Sequence, residues 1–182
     1  QYGLTPNETM NAWKKWGSST VDKVRESPYN LCVEGIGISF DRADEIARSM
    51  ERPADDETRI KAGILYVLRH NFGNGHTCLP LQKVAEVTAG RLGVEEELCF
   101  AALSGMIEGM ELKEEEFPNG SFVFLPNAHR AESYAAGRIK LMLQFTPPPC
   151  SDVNEGISMI EQQMGITFDP LQRSAIDQAL NK

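Results

Sequence analysis

Apolar residues along most of this chain recur at intervals of three and four, the spacing that lines one face of an α-helix. Ile60, Ile64, Val67, Leu68 and Phe72 keep that spacing until Phe72-Gly73-Asn74-Gly75 ends the run. Leu81, Val84, Ala85 and Leu92 repeat it up to Gly93, and Cys99, Leu103, Met106, Ile107 and Met110 form the inward face of a third helix. Glu95-Glu96-Glu97 places acid at the start of that helix, where the backbone dipole favours it. The period then changes. Residues 112–117 and 121–125 are β-prone runs joined by Pro118-Asn119-Gly120, and an Asn-Gly pair between such runs signals a hairpin. Three helices followed by one small β-hairpin give a winged-helix-like order for residues 54–146.

The first fifty residues carry shorter helical signals. Thr5-Pro6 supplies a cap and a first-turn proline for a helix over 5–16, with Met10, Trp13 and Ala12 on its apolar side and Gly17 as its stop. Ser19 caps a second helix holding Val21 and Val24, which Ser27-Pro28 ends. Asp41 caps a third, with Ala43, Ile46, Ala47 and Met50 inward, before Arg52-Pro53-Ala54-Asp55-Asp56 breaks the pattern. Between the last two helices lies Gly35-Ile36-Gly37. An apolar segment, a Gly-x-Gly turn and an alanine-rich amphipathic helix are the parts of a helix-hairpin-helix. Tyr2-Gly3-Leu4-Thr5-Pro6 holds the matching place before the first helix, so residues 1–53 read as a paired unit whose first hairpin is truncated.

Beyond the hairpin of the second unit, a helix is expected over 127–143 with Ala131, Tyr134, Ala135, Ile139 and Met142 inward. Pro147-Pro148-Pro149 is a stiff linker and the clearest boundary in the chain. Val153, Ile157, Ile160 and Met164 mark a helix stopped by Gly165, and Asp169-Pro170 starts another. The fold class is therefore mainly α: a helix-hairpin-helix unit, a winged-helix-like unit with one small β-hairpin, and the first helices of a further domain over 147–182.

The glycine turn carries the candidate chemistry. Glycine enters backbone regions closed to other residues and lets a neighbouring group approach closely. Gly35, Gly37 and the N–H groups opening the next helix can form a small concavity for one phosphate. Such a contact reads the nucleic-acid backbone and not the bases. The candidate DNA-contacting residues are Gly35, Ile36, Gly37, Ser39 and Arg42, with Thr5 from the first hairpin. The net charge of −8 and a pI near 4.9 exclude a broad nucleic-acid footprint, so the contact is local. In the second unit the helix near 95–110 carries Glu95, Glu96, Glu97, Glu108 and Glu111 with no Lys or Arg, and the wing adds Glu114, Glu115 and Glu116. Like charge would repel phosphates there, which argues for a structural or protein-contact role over major-groove reading.

Other chemistry is sparse. Cys32, Cys78, Cys99 and Cys150 form no C-x-x-C pair, so neither a zinc site nor a disulfide framework is expected, and reduced thiols in a cytoplasmic protein are the simplest reading. His70, His76 and His129 have no metal-ligand or triad spacing. No segment approaches the ~18 consecutive apolar residues of a membrane helix, and no membrane partner is expected. The opening Gln1-Tyr2-Gly3-Leu4 reads as the middle of an element, which suggests a piece of a longer protein.

Taken together, these residues resemble the N-terminal region of RecD-like superfamily 1 DNA helicases. The resemblance rests on Tyr2-Gly3-Leu4, Pro28-Tyr29-Asn30-Leu31 and Gly35-Ile36-Gly37 through Ala43-Asp44-Glu45-Ile46-Ala47. It continues through Arg59-Ile60-Lys61-Ala62-Gly63-Ile64-Leu65-Tyr66-Val67-Leu68, Gly75-His76-Thr77-Cys78-Leu79-Pro80 and Leu171-Gln172-Arg173-Ser174-Ala175-Ile176. One departure is Ile38-Ser39-Phe40, where the family usually has an aromatic directly after the second glycine. The resemblance implies that Gln172 matches the adenine-contacting glutamine preceding the P-loop, and that the last helices open the helicase motor domain. It also implies ATP and Mg as cofactors of the parent protein, 5′–3′ unwinding, and DNA and the rest of the helicase chain as partners. No G-x-x-x-x-G-K-[ST] run occurs in these 182 residues, so they hold no catalytic site and no cofactor of their own. The alternatives are a protein-interaction module that makes no DNA contact and, less in keeping with the sequence, a free-standing repair scaffold.

Overall fold

The Thr5 hydroxyl accepts a hydrogen bond from the Glu8 amide and the Glu8 carboxylate accepts one from the Thr5 amide, so α1 (Pro6–Trp16) starts in a closed capping box. The computed structural model describes residues 3–33, 35–145, 148 and 152–181. After α1 come α2 (Thr20–Glu26), a short 3-10 turn at Pro28–Cys32, and α3 (Phe40–Ser49). Then follow α4 (Glu57–Gly73), β1 (Cys78–Pro80), α5 (Leu81–Leu92), α6 (Glu96–Glu108), the hairpin β2 (Lys113–Phe117) and β3 (Gly120–Phe124), and α7 (Pro126–Gln144). The helices α8 (Val153–Met164) and α9 (Pro170–Asn181) complete the order. The chain is mainly α, as its periodicity predicts.

Contacts group residues 1–130 into one unit and 131–182 into another. In the first, a single hydrophobic core runs from Ala12, Val24 and Leu31 through Ile46, Ile60 and Ile64 to Leu103, Met106 and Val123. The helix-hairpin-helix segment and the winged-helix-like segment therefore share one interior. Among the described residues the sheet has three strands in the order β1-β3-β2, with Leu79 opposite Val123 and Glu114 opposite Val123 from the other side. The sequence signals only the hairpin, because a three-residue strand ending in proline has no period to detect.

Several expected inward faces are corrected. Met10 and Trp13 are more than half exposed, and Ala12 is the residue of α1 that is buried. Val21 is also exposed, and Met110 lies past the end of α6 with a positive φ of 59°. Ser19 makes no capping hydrogen bond; the Thr20 hydroxyl donates to the Gly17 carbonyl instead. Asp41 does not cap α3. Ser39 does, its hydroxyl accepting from the Arg42 amide, while Asp41 accepts from Arg91 of α5 at 2.6 Å.

In the second unit, Val153 and Ile157 are buried, and Glu161 accepts hydrogen bonds from the Phe168 amide and from Arg173. The expected inward stripe of α7, Ala131, Tyr134, Ala135, Ile139 and Met142, is exposed along its length. Its helical period is real, but among the described residues no element covers it. Pro147, Pro149 and Cys150 lie outside the described residues.

Candidate nucleic-acid interface

The hairpin is built by alternation. Ile36, Ile38 and Phe40 are each no more than 5% exposed, whereas Gly35, Gly37 and Ser39 between them face solvent. Burial of the three large side chains pins the segment to the core and turns its other edge outward. The Ile36 amide donates to the Val33 carbonyl at 3.2 Å and closes the turn. Gly35 and Gly37 hold φ of 91° and 79°, a region that side chains with a Cβ rarely enter. Among the described residues, a Cβ at either glycine would meet nothing within 4 Å, so the outer edge is open backbone that ends at the first turn of α3. This geometry admits an anion to close approach and offers nothing with which to read a base.

The same local structure recurs before α1. Gly3 has φ of 70°, and Thr5 caps α1 with φ, ψ of −69°, 159°; Ser39 caps α3 with −70°, 159°. The two hairpins hold each other reciprocally. Asn11 of α1 donates to the Ile36 carbonyl at 3.5 Å, and Arg42 of α3 donates to the Gly3 carbonyl at 2.6 Å. Their chemistry differs most at the third helical residue. The third residue of α1 is Glu8, whose carboxylate occupies the Thr5 amide; the third residue of α3 is Arg42. Glu8 thus closes a capping box at the first helix start; the second has no such box, and its first-turn acid, Asp41, is paired with Arg91.

Of the expected contact residues, Gly35, Gly37 and Ser39 lie on the exposed edge; Ile36 is buried on the opposite one, its amide bonded to the Val33 carbonyl and its carbonyl to Asn11. Arg42 stands beside them with its guanidinium committed to Gly3 and to Glu45 at 2.6 Å. Thr5 belongs to the neighbouring hairpin and is engaged by its own cap. Gln172 is exposed on the first turn of α9, where its Oε1 accepts from the Asp169 amide at 3.0 Å and Asp169 Oδ1 accepts from Leu171. Nε2 of that amide has no partner among the described residues.

A buried ionic cluster fixes the tilt of α3. Asp44 accepts from Tyr29 at 2.7 Å, from Arg59 of α4 at 2.7 Å and from Arg48 at 2.6 Å. Arg59 also donates to the carbonyls of Ala54 and Leu92, joining α3, α4 and the end of α5. Burial opposes ionisation of Asp44, but the hydrogen bonds from Arg59, Tyr29 and Arg48 outweigh it and hold its pKa down at about 2. Burial, then the hydrogen bond to the Asp44 carboxylate, pushes the Tyr29 phenol well above its usual range. Sequence reasoning misses this cluster: the partners lie fifteen residues apart on either side of Asp44, and no local pattern ties them.

Residues 1–78 match the family described as the ATP-dependent RecD2 DNA helicase HHH domain. Over 157 residues the chain is 31% identical to the ATP-dependent RecD2 DNA helicase of Deinococcus radiodurans. The aligned stretch is 80% of this chain and 22% of that protein, so the chain spans about a fifth of the length of the curated relative it matches.

Proposed function

We propose that this RecD-like N-terminal region, whose residues 1–78 match the RecD2 helix-hairpin-helix family, serves as a non-catalytic accessory region of an ATP-dependent 5′–3′ DNA helicase. It grips the DNA backbone without regard to sequence and braces the motor in a cytoplasmic enzyme. The observation that carries this reading is the exposed edge Gly35-Gly37-Ser39, open and backed by a buried Ile36-Ile38-Phe40 row. Bracing is supported by the uncovered apolar stripe of α7 and by exposed Met159, Met164 and Leu171. ATP and Mg belong to the parent enzyme, with Gln172 on the adenine; the chemistry of hydrolysis requires a P-loop that this chain does not contain.

Fluorescence anisotropy with a labelled forked duplex tests the contact. Binding is expected to be weak, independent of sequence and salt-sensitive, with a log–log slope corresponding to one or two phosphates. Ser39→Asp is the decisive variant, because aspartate caps a helix as well as serine does but adds a negative charge at the edge. It should lose most of the salt-sensitive binding while unfolding at an unchanged urea midpoint. Absence of salt-sensitive binding at low ionic strength would overturn the reading. A protein-interaction module, docking through the acidic α6 and the apolar stripe, would then stand in its place.

A further inference from the structure

Beside the hairpin, and sharing Ser39 with it, is a cavity of about 300 Å³ whose lining includes Ile38, Ser39, Phe40, Tyr66, Arg69 and His70. That is the lower end of the range for small-ligand pockets, enough for one ring system. Its floor is apolar and uncharged. Ile38 and Phe40 are buried, and burial pushes the Cys32 thiol, which also lines the cavity, up to about 11. Its wall is aromatic: Tyr66 and His70 lie parallel with centroids 5.9 Å apart, and Arg91 sits 4.2 Å from the Tyr66 ring centre. Arg91 is balanced by Asp41 and Arg42 by Glu45. Arg69, exposed at the cavity rim, has no ion-pair partner among the described residues.

We propose that this cavity receives an unstacked base of single-stranded DNA, which stacks on the Tyr66–His70 wall while Arg69 neutralises an adjoining phosphate. The inference rests on the hairpin contact proposed above and extends it by one nucleotide, since Ser39 belongs both to the phosphate-facing edge and to the cavity. Stacking on aromatic side chains tolerates any base, so the site keeps the sequence independence of the hairpin.

The test uses the 182-residue chain and two labelled oligonucleotides of equal length, one of thymidines and one with abasic sites throughout. The thymidine strand is expected to bind about 5- to 150-fold more tightly, the range that one stacked base supplies. His70→Ala, on an exposed side chain, should shrink that preference to under twofold. Arg69→Ala should weaken both strands equally and lower the salt slope by about 0.7, one phosphate of a single strand. A 2-aminopurine in the strand should be quenched by the wild-type chain and not by His70→Ala. Equal binding of the two strands, with the salt slope intact, would overturn the pocket and leave the hairpin standing. Loss of salt-sensitive binding to every nucleic acid would overturn both. A base preference that survives His70→Ala and Tyr66→Leu together would place the base elsewhere and refute the assignment.

Discussion

Replacing Asp44 with asparagine should unfold this chain more readily than any exposed substitution. Asp44 is 4% exposed and accepts from three donors, of which Arg59 is itself 7% exposed. Asparagine is nearly the same size, so no cavity forms; what changes is that the Arg59 guanidinium loses its counter-charge inside the core. Removing one partner of a buried ion pair typically costs about 3–5 kcal/mol. Arg48 adds little to this, because its side chain is 71% exposed and an exposed pair contributes about 0–1 kcal/mol. The loss expected for Asp44→Asn is therefore set by Arg59 and Tyr29. It is a large part of the ~5–15 kcal/mol that holds a domain together. Urea unfolding followed by tryptophan fluorescence and far-UV circular dichroism measures it. The double variant Asp44→Asn/Arg59→Met removes both charges and should recover at least half of the loss. A single variant within about 1 kcal/mol of wild type, or a double variant worse than the single, would refute the account of α3 and α4 as joined through a buried charge pair.

The same carboxylate predicts an acid transition. Asp44 stays ionised in the folded chain down to about pH 2, while in the unfolded chain it takes a proton near 3.8, so its contribution is full above pH 3.8 and is lost as pH falls toward 2. That difference corresponds to about 2 kcal/mol at neutral pH, and the urea midpoint measured between pH 5 and 2 should fall less steeply in Asp44→Asn. Gly63→Ala should destabilise by about 1 kcal/mol although alanine favours helices, because its Cβ would stand 2.9 Å from Leu92 Cδ1 and 3.3 Å from Thr88 Cγ2. Gly90→Ala, in the exposed interior of α5 with open space around it, should stabilise by up to ~1 kcal/mol in the same urea assay. Thr5→Ala should cost about 1 kcal/mol through the lost capping box yet leave duplex binding unchanged in anisotropy.

The hairpin was legible because its logic is local. Two glycines two apart, interleaved with Ile36 and Ile38, specify a turn with a buried and an open edge whatever packs behind it. The helices of the winged segment were legible for the same reason, since Ile60, Ile64 and Leu68 declare their face by spacing. Spacing says nothing about whether a face is covered: Tyr134, Ile139 and Met142 have the period of a packed helix and lie in the open. Caps were half legible. Asp41 and Ser39 are both good cap residues; Ser39 holds the extended backbone of a cap, and Asp41, already inside the first turn, pairs instead with Arg91, fifty residues away. The Tyr29–Asp44–Arg59 cluster and the cavity at Tyr66 depend on which helices meet, which no window of sequence contains.

The inequality between the two helix starts has a mechanical consequence. With the Glu8 carboxylate on the Thr5 amide at one start and no capping box at the other, the contact proposed above would give the paired hairpins a single grip and not two. A duplex pinned at two separated phosphates is held in orientation. One pinned near a single phosphate is tethered but can swivel and roll about that point, and the tether costs little to release. A machine that must advance along its track is better served by such a pivot than by a clamp.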